Sequence, residues 1–135
     1  MSFDLTSISE QQSAEVELLH PVTGAPLDAV VILAGPEHPA RKRLVFDRQR
    51  RLRAKFAKSG RLQLDDPAAE ADEAIELLAA CTLGWRGLTD AGKPLDYTPA
   101  AAAALYARPE LAWMRAQLMA ALDDRERFIA ASRET

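Results

Sequence analysis

The sequence predicts a mixed α+β domain, mainly α, with an N-terminal β-hairpin packed on a small bundle of about four helices. Three observations carry this. Val16 and Leu18 alternate with Glu15 and Glu17, and the β-branched run DAVVILAG follows at residues 28 to 35, so strand periodicity dominates the front of the chain. Pro39, Pro67, Pro99 and Pro109 stand where a missing N–H costs nothing, at the first turn of a helix. After each of the first two and the last, apolar residues recur at helical spacing. At 135 residues the chain suits one domain rather than two.

Residues 1 to 13 are rich in Ser and Gln, lack any period, and read as a flexible tail. The domain is expected over 15–132. Its hairpin spans 15–34, with PVTGAP as the turn, where Gly24 is free to take positive φ. A first helix is expected over 39–58, capped near Gly60, with Val45, Leu52 and Phe56 in one narrow apolar stripe beside Gln49. Asp66 as N-cap and Pro67 open a second helix, 67–83, with Ala71, Ile75, Leu78 and Thr82 in line. The short linker folds the two back as an antiparallel pair. Thr98-Pro99 starts a third helix, 99–107. Pro109 starts a fourth, 109–131, whose line is Leu111, Met114, Leu118, Leu122 and Ile129. Trp113, Met119 and Phe128 lie off that line and make a second, weaker apolar surface.

Alanine supplies 26 residues of the chain, so large core side chains are few and helices must approach closely. Charge is divided sharply. Residues 41 to 61 hold ten of the 17 Lys and Arg against the single acid Asp47, and Asp65, Asp66, Glu70, Asp72, Glu73 and Glu76 follow at once. Arg48, Arg51 and Lys55 mark a candidate electrostatic surface. Clustered bases suit phosphate, but they ring the helix and an acidic helix follows, so a solvated face is favoured over nucleic acid. The lone Cys81 cannot form an internal disulfide, which fits a reducing compartment such as the cytoplasm. No leader and no membrane-length apolar run is present.

The run GWRGLTDAGKPL, residues 84 to 95, contains the glycine and lysine spacing of a phosphate-binding loop. Asp90 places a negative charge where phosphates would lie, and Pro94 replaces the Mg²⁺-binding hydroxyl. The segment before it reads as the end of a helix, so a tight turn at Asp90-Ala91-Gly92 between short extended pieces is the better reading. His20 and His38 abut prolines without spaced partners, and Cys81 sits on an apolar helix. No catalytic, cofactor-binding or metal-binding set emerges. A non-enzyme without cofactors is expected.

Trp85, Asp90-x-Gly92-Lys93-Pro94-Leu95, Tyr97, the Thr98-Pro99 helix start, and a last helix with Trp113 and Gln117 before Asp124-Arg125-x-x-Phe128 together resemble the tail assembly chaperones of long-tailed bacteriophages and prophages. PVTGAP between strands and VVILAGPEHP entering a basic helix agree, and the likeness covers about residues 15 to 132. It departs at His38-Pro39, in place of an Asp-Ser helix cap, and at the alanines 100 to 104. The resemblance implies a non-catalytic protein of the bacterial host cytoplasm that binds the tape-measure protein and helps recruit tail-tube subunits. Leu105, Tyr106, Trp113, Met114, Met119 and Phe128 are the expected partner-binding residues, through helix-in-groove packing, and surplus apolar surface is also compatible with a homo-oligomer. The alternatives are a small nucleic-acid-associated protein using helix 39–58 and a structural subunit of the phage particle.

Overall fold

The computed structural model describes residues 2–59 and 67–131. Within the first thirteen residues, read from sequence as a flexible tail, a 3-10 turn (Leu5–Ser7) leads into a strand, β1 (Ile8–Glu10). The hairpin follows as expected. In β2 (Ser13–Leu19), Val16 and Leu18 are buried and Glu15 and Glu17 are exposed, as a two-residue period requires. β3 (Pro26–Ala34) pairs antiparallel with it, Val16 opposite Val31 and Glu17 opposite Val30. The turn between them has Gly24 at φ 74°.

Pro39, Pro67 and Pro99 open α-helices as expected, whereas Pro109 opens a 3-10 turn and the last helix starts three residues later, at Ala112. α1 (Pro39–Ser59) begins beneath His38, whose Nδ1 accepts the Ala40 N–H at 3.1 Å, so an imidazole satisfies an orphan donor where a carboxylate or hydroxyl is usual. α2 (Pro67–Cys81) runs back along it: Arg48 reaches Glu73 at 3.5 Å and Arg41 lies close enough to Cys81 to act on its thiol, which makes the pair antiparallel. The expected caps Gly60 and Asp66, and the linker holding Asp65, lie outside the described residues.

The second and last helices are shorter than the sequence expectation. The second helix ends at Cys81, not 83, and passes without a linker into β4 (Thr82–Arg86), which pairs with the free side of β3 to give the sheet order β2-β3-β4. Thr82 therefore belongs to the sheet. β5 (Thr89–Asp90) and β6 (Lys93–Pro94) then form a small hairpin. Ala91 and Gly92 at its tip have φ of 52° and 82°, the pair of positive values that a two-residue hairpin turn demands.

α3 (Pro99–Tyr106) is capped by Thr98, whose hydroxyl accepts the Ala101 N–H at 2.9 Å. After a 3-10 turn (Pro109–Leu111) comes α4 (Ala112–Asp123). The last helix was expected to reach 131. Instead Asp124 leaves the helical region, Arg125–Phe128 forms another 3-10 turn, and β7 (Ile129–Ala131) pairs antiparallel with β1, Ile8 opposite Ala131. The apolar step from Leu122 to Ile129 mimics a helical line. The direction of the chain reverses between them because Phe128 is drawn into the core.

That core joins the inner face of the sheet, Val16, Leu18, Val31 and Leu33, to Leu78, Leu105, Tyr106, Met114, Leu118, Leu122 and Phe128. Ala29, Ala34, Ala102 and Ala121 are buried among them, so alanine does serve to bring backbones close. Gly35 is required for the same reason. A Cβ there would stand 2.8 Å from the Gln11 carbonyl oxygen and 2.9 Å from the Phe128 ring. Thr82, Tyr106 and Leu78 form a buried relay. The Thr82 hydroxyl donates to the Leu78 carbonyl at 2.8 Å, which leaves its oxygen to accept from the Tyr106 hydroxyl at 2.8 Å. The Gln117 amide bonds both backbone groups of Leu19, at 3.0 and 2.7 Å.

Burial pushes the Tyr106 phenol up to about 12. A raised phenol keeps its proton in the folded state while the unfolded chain loses it. Its contribution is thus complete below pH 10 and is lost between about 10 and 12, at about 1.4 kcal/mol per pH unit. Urea midpoints should fall over that window and Tyr106→Phe should flatten the decline. Ala91→Gly should raise stability by about 1 kcal/mol in the same assay, because glycine takes positive φ without steric cost.

Candidate functional site

Four of the six residues expected to meet a partner are core residues. Tyr106 is 1% exposed, Phe128 0%, Met114 3% and Leu105 8%. Leu105 and Met114 nonetheless line a groove together with Trp113, whereas Tyr106 and Phe128 are enclosed, Phe128 because α4 ends early. With Phe128 folded back under the sheet, the second apolar face that a longer helix would have displayed is used internally. Trp113 and Met119 remain half-buried at the margin of the core. Trp113 lines a groove of about 270 Å³ between α4, β3 and the β5–β6 hairpin, with Asp90 and Arg108 paired at 3.2 Å at its rim.

Large apolar side chains are exposed singly near the N-terminus and in the hairpin turn, as at Phe3, Leu5 and Val22, and as a group on one helix, α1. Val45, Phe46, Leu52 and Phe56 are 44%, 62%, 43% and 53% exposed. Among the described residues of this helix, none is fully buried. Leu44 packs on the core from one side, and Arg41 is held by its guanidinium. Its nitrogens donate to the carbonyls of Ala34 at 3.1 Å and Leu122 at 3.0 Å, and its carbon lies 5.9 Å from the centre of the Phe128 ring. Both contacts sit in the first turns. A helix of this length runs about 31 Å, so most of it extends past the core that anchors it.

The stripe Val45, Gln49, Leu52 and Phe56 was legible in the sequence, but it faces outward. The overlooked signal was its width. A core-facing helix needs an apolar arc of about 100° or more, and here bases interrupt the stripe on both sides. Beside it, α1, α2 and the end of α4 enclose a groove of about 260 Å³. Leu44, Leu77 and Leu122 line its apolar part, Val45 and Leu52 stand on one wall, and Glu73, Glu76 and Asp123 occupy the other. Of the three expected electrostatic residues, Arg48 pairs with Glu73 and lines this groove with Arg51, while Lys55 is exposed farther along the helix. The basic and acidic blocks do meet, at the Arg48–Glu73 ion pair.

The phosphate-loop spacing has a strand before it, β4, contrary to the sequence expectation of a helix end. No helix follows Lys93, which starts β6. The motif residues instead fasten the small hairpin to the sheet. Trp85 Nε1 donates to the Leu95 carbonyl at 2.8 Å, the Tyr97 hydroxyl donates to the Thr82 carbonyl at 2.7 Å, and the two rings meet edge to face at 5.1 Å. Burial raises the Cys81 thiol above its ordinary value, so it is held as the unreactive protonated form. His20 accepts two backbone N–H groups of its own turn through Nδ1. Among the described residues, no three His, Cys, Asp or Glu side chains come together as a metal site, and no helix is long and apolar enough to cross a membrane.

Comparison with protein families, with curated proteins and with solved structures finds no match. The chemistry available is therefore read from the chain itself: an anchored helix with a free apolar stripe, set beside a groove with charged walls.

The exposure of α1 sets a stability contrast. Phe46→Ser and Phe56→Ser should leave the unfolding free energy within about 0.5 kcal/mol of the parent. Leu118→Ala should cost about 2–5 kcal/mol. Denaturant titration of the three variants measures both effects.

Proposed function

We propose that this chain is a non-catalytic tail assembly chaperone of a long-tailed phage or prophage. It binds the tape-measure protein in the bacterial host cytoplasm and helps bring tail-tube subunits to it. The observation that carries the reading is the exposure of Val45, Phe46, Leu52 and Phe56 on one anchored helix. A monomer gains nothing from leaving four large apolar side chains in water, whereas a protein that masks another chain's apolar stripe needs them there. The resemblance through Trp85, Asp90 to Leu95, Tyr97, Trp113 and Gln117 supplies the partner's identity. A tape-measure chain is long and helical and exposes apolar stripes until the tube encloses it, so a soluble partner that covers them would prevent its aggregation.

The binding surface proposed here differs from the one the sequence suggested. It lies on α1 and the adjoining groove; of the residues named from sequence, Trp113 and Met119 are half-buried, Leu105 and Met114 line a separate groove with Trp113, and the basic Arg48, Arg51 and Lys55 are exposed. Association with nucleic acid draws on the same nine bases of α1. It is the weaker reading because those bases are interleaved with large apolar side chains, which a phosphate backbone does not cover.

Co-expression tests the assignment. The cognate tape-measure protein made alone should partition largely to the insoluble fraction. Made with this chain it should remain soluble and co-purify with it as a complex. A tape measure that stays insoluble, together with no binding to the tube protein, would remove the reading.

A further inference from the structure

α1 carries the layout of one half of a coiled-coil seam. Numbered in heptads, Val45 and Leu52 take position d and Gln49 and Phe56 take position a, so four residues at spacings of four, three and four share one line. All four are exposed. The polar Gln49 within an apolar seam is the kind of residue that fixes register against a partner helix. It has no such use on a face meant for solvent.

The outer edge of the seam is basic and the inner edge is mixed, since Arg48 and Arg51 line the groove together with Glu73, Glu76 and Asp123. On the outer edge stands Arg53, with Arg50 and Arg43 farther around the helix; Lys42 lies on the seam line itself and is paired with Glu37 at 2.7 Å. None of Arg43, Arg50, Arg51 and Arg53 forms an ion pair with a carboxylate among the described residues. On the inner edge, across the groove, stand Glu73, Glu76 and Asp123, of which only Glu73 is engaged, by Arg48. An occupant must therefore be apolar along its centre and differently charged along its flanks.

We propose that this groove seats an amphipathic helix of another protein as a third helix beside α1 and α2. Its acidic edge meets Arg53 and its basic edge meets Glu76 and Asp123. A nucleic acid fits less well, because a phosphate backbone does not cover an apolar seam. A second copy of α1 would set base against base along the outer edge. The proposal deepens the chaperone reading, and rests on it only in taking the occupant to be protein.

Three probes test it against the full chain by fluorescence anisotropy: a synthetic 28-residue helix with Leu at a and d, Glu along one edge and Lys along the other; the same helix with Lys along both edges; and a 20-base-pair DNA duplex. The mixed-edge helix should bind at least about tenfold more tightly than the all-lysine helix. Its affinity should fall at least about tenfold in Leu52→Asp, a substitution at an exposed site that leaves the melting temperature in place. Arg53→Glu should weaken the mixed-edge helix and spare the all-lysine one. Equal binding of the two peptides, no binding of either, indifference to Leu52→Asp, or tighter binding of the duplex at physiological salt would overturn the proposal. Peptide binding without rescue of the tape measure in co-expression would remove the chaperone reading and leave the groove standing. Rescue by Leu52→Asp as complete as by the parent would place the chaperone surface elsewhere and overturn the groove as its site.

Discussion

The Arg41 guanidinium is the point at which the sheet, the last helix and the long basic helix are tied together. It bonds the carbonyl that ends β3 and a carbonyl at the end of α4, and it lies over the Phe128 ring. Each contact suits a cation. The C-terminal end of a helix presents unsatisfied carbonyls with partial negative charge, and an aromatic face is electron-rich. Planar geometry lets one side chain serve both carbonyls, which a lysine in its place would not reproduce. With Leu44 one turn on, this fixes where α1 leaves the core and lets the rest of the helix extend beyond it.

That arrangement explains why surplus apolar surface lies on α1 and not on α4. The inner face of the sheet needs covering, and with 26 alanines the chain has few large side chains to spare. α2, α3 and α4 commit theirs, and the return of the chain through Phe128 to β7 completes the cover. The far half of α1 has no buried side chain among the described residues. The charge distribution is consistent with this. Bases on both sides of a narrow apolar line are tolerable only where water or another charged surface meets them, since burying unpaired cations is prohibitive.

Much of the fold was legible because local chemistry and global structure agree. The alternation at residues 15 to 18, the β-branched run, and Pro39, Pro67 and Pro99 at helix starts each say what the tertiary structure also says. The failures have local causes. Thr82 to Arg86 includes Gly84, lacks alternation and follows a helix without a turn, so its strand exists only because β3 has a free edge. Asp124 ends α4 without the glycine or proline that normally marks a stop. β1 is three polar-leaning residues whose pairing partner lies more than a hundred positions away, and no local pattern encodes such a contact. At the candidate site, sequence identified the apolar stripe and the bases around it. Which way the stripe faces depended on how far the core extends, and that is decided by the other helices.

Gln117 and Tyr97 have an effect beyond their own bonds. One saturates both backbone groups of Leu19 at the end of β2, and the other occupies the Thr82 carbonyl at the start of β4. These are the two outer strands of the three-stranded sheet, and each plug stands where an incoming strand would need a free donor or acceptor. Edge-to-edge polymerisation is thereby hindered on both flanks. The molecule is thereby left apolar along one face of a helix and plugged at both margins of its sheet.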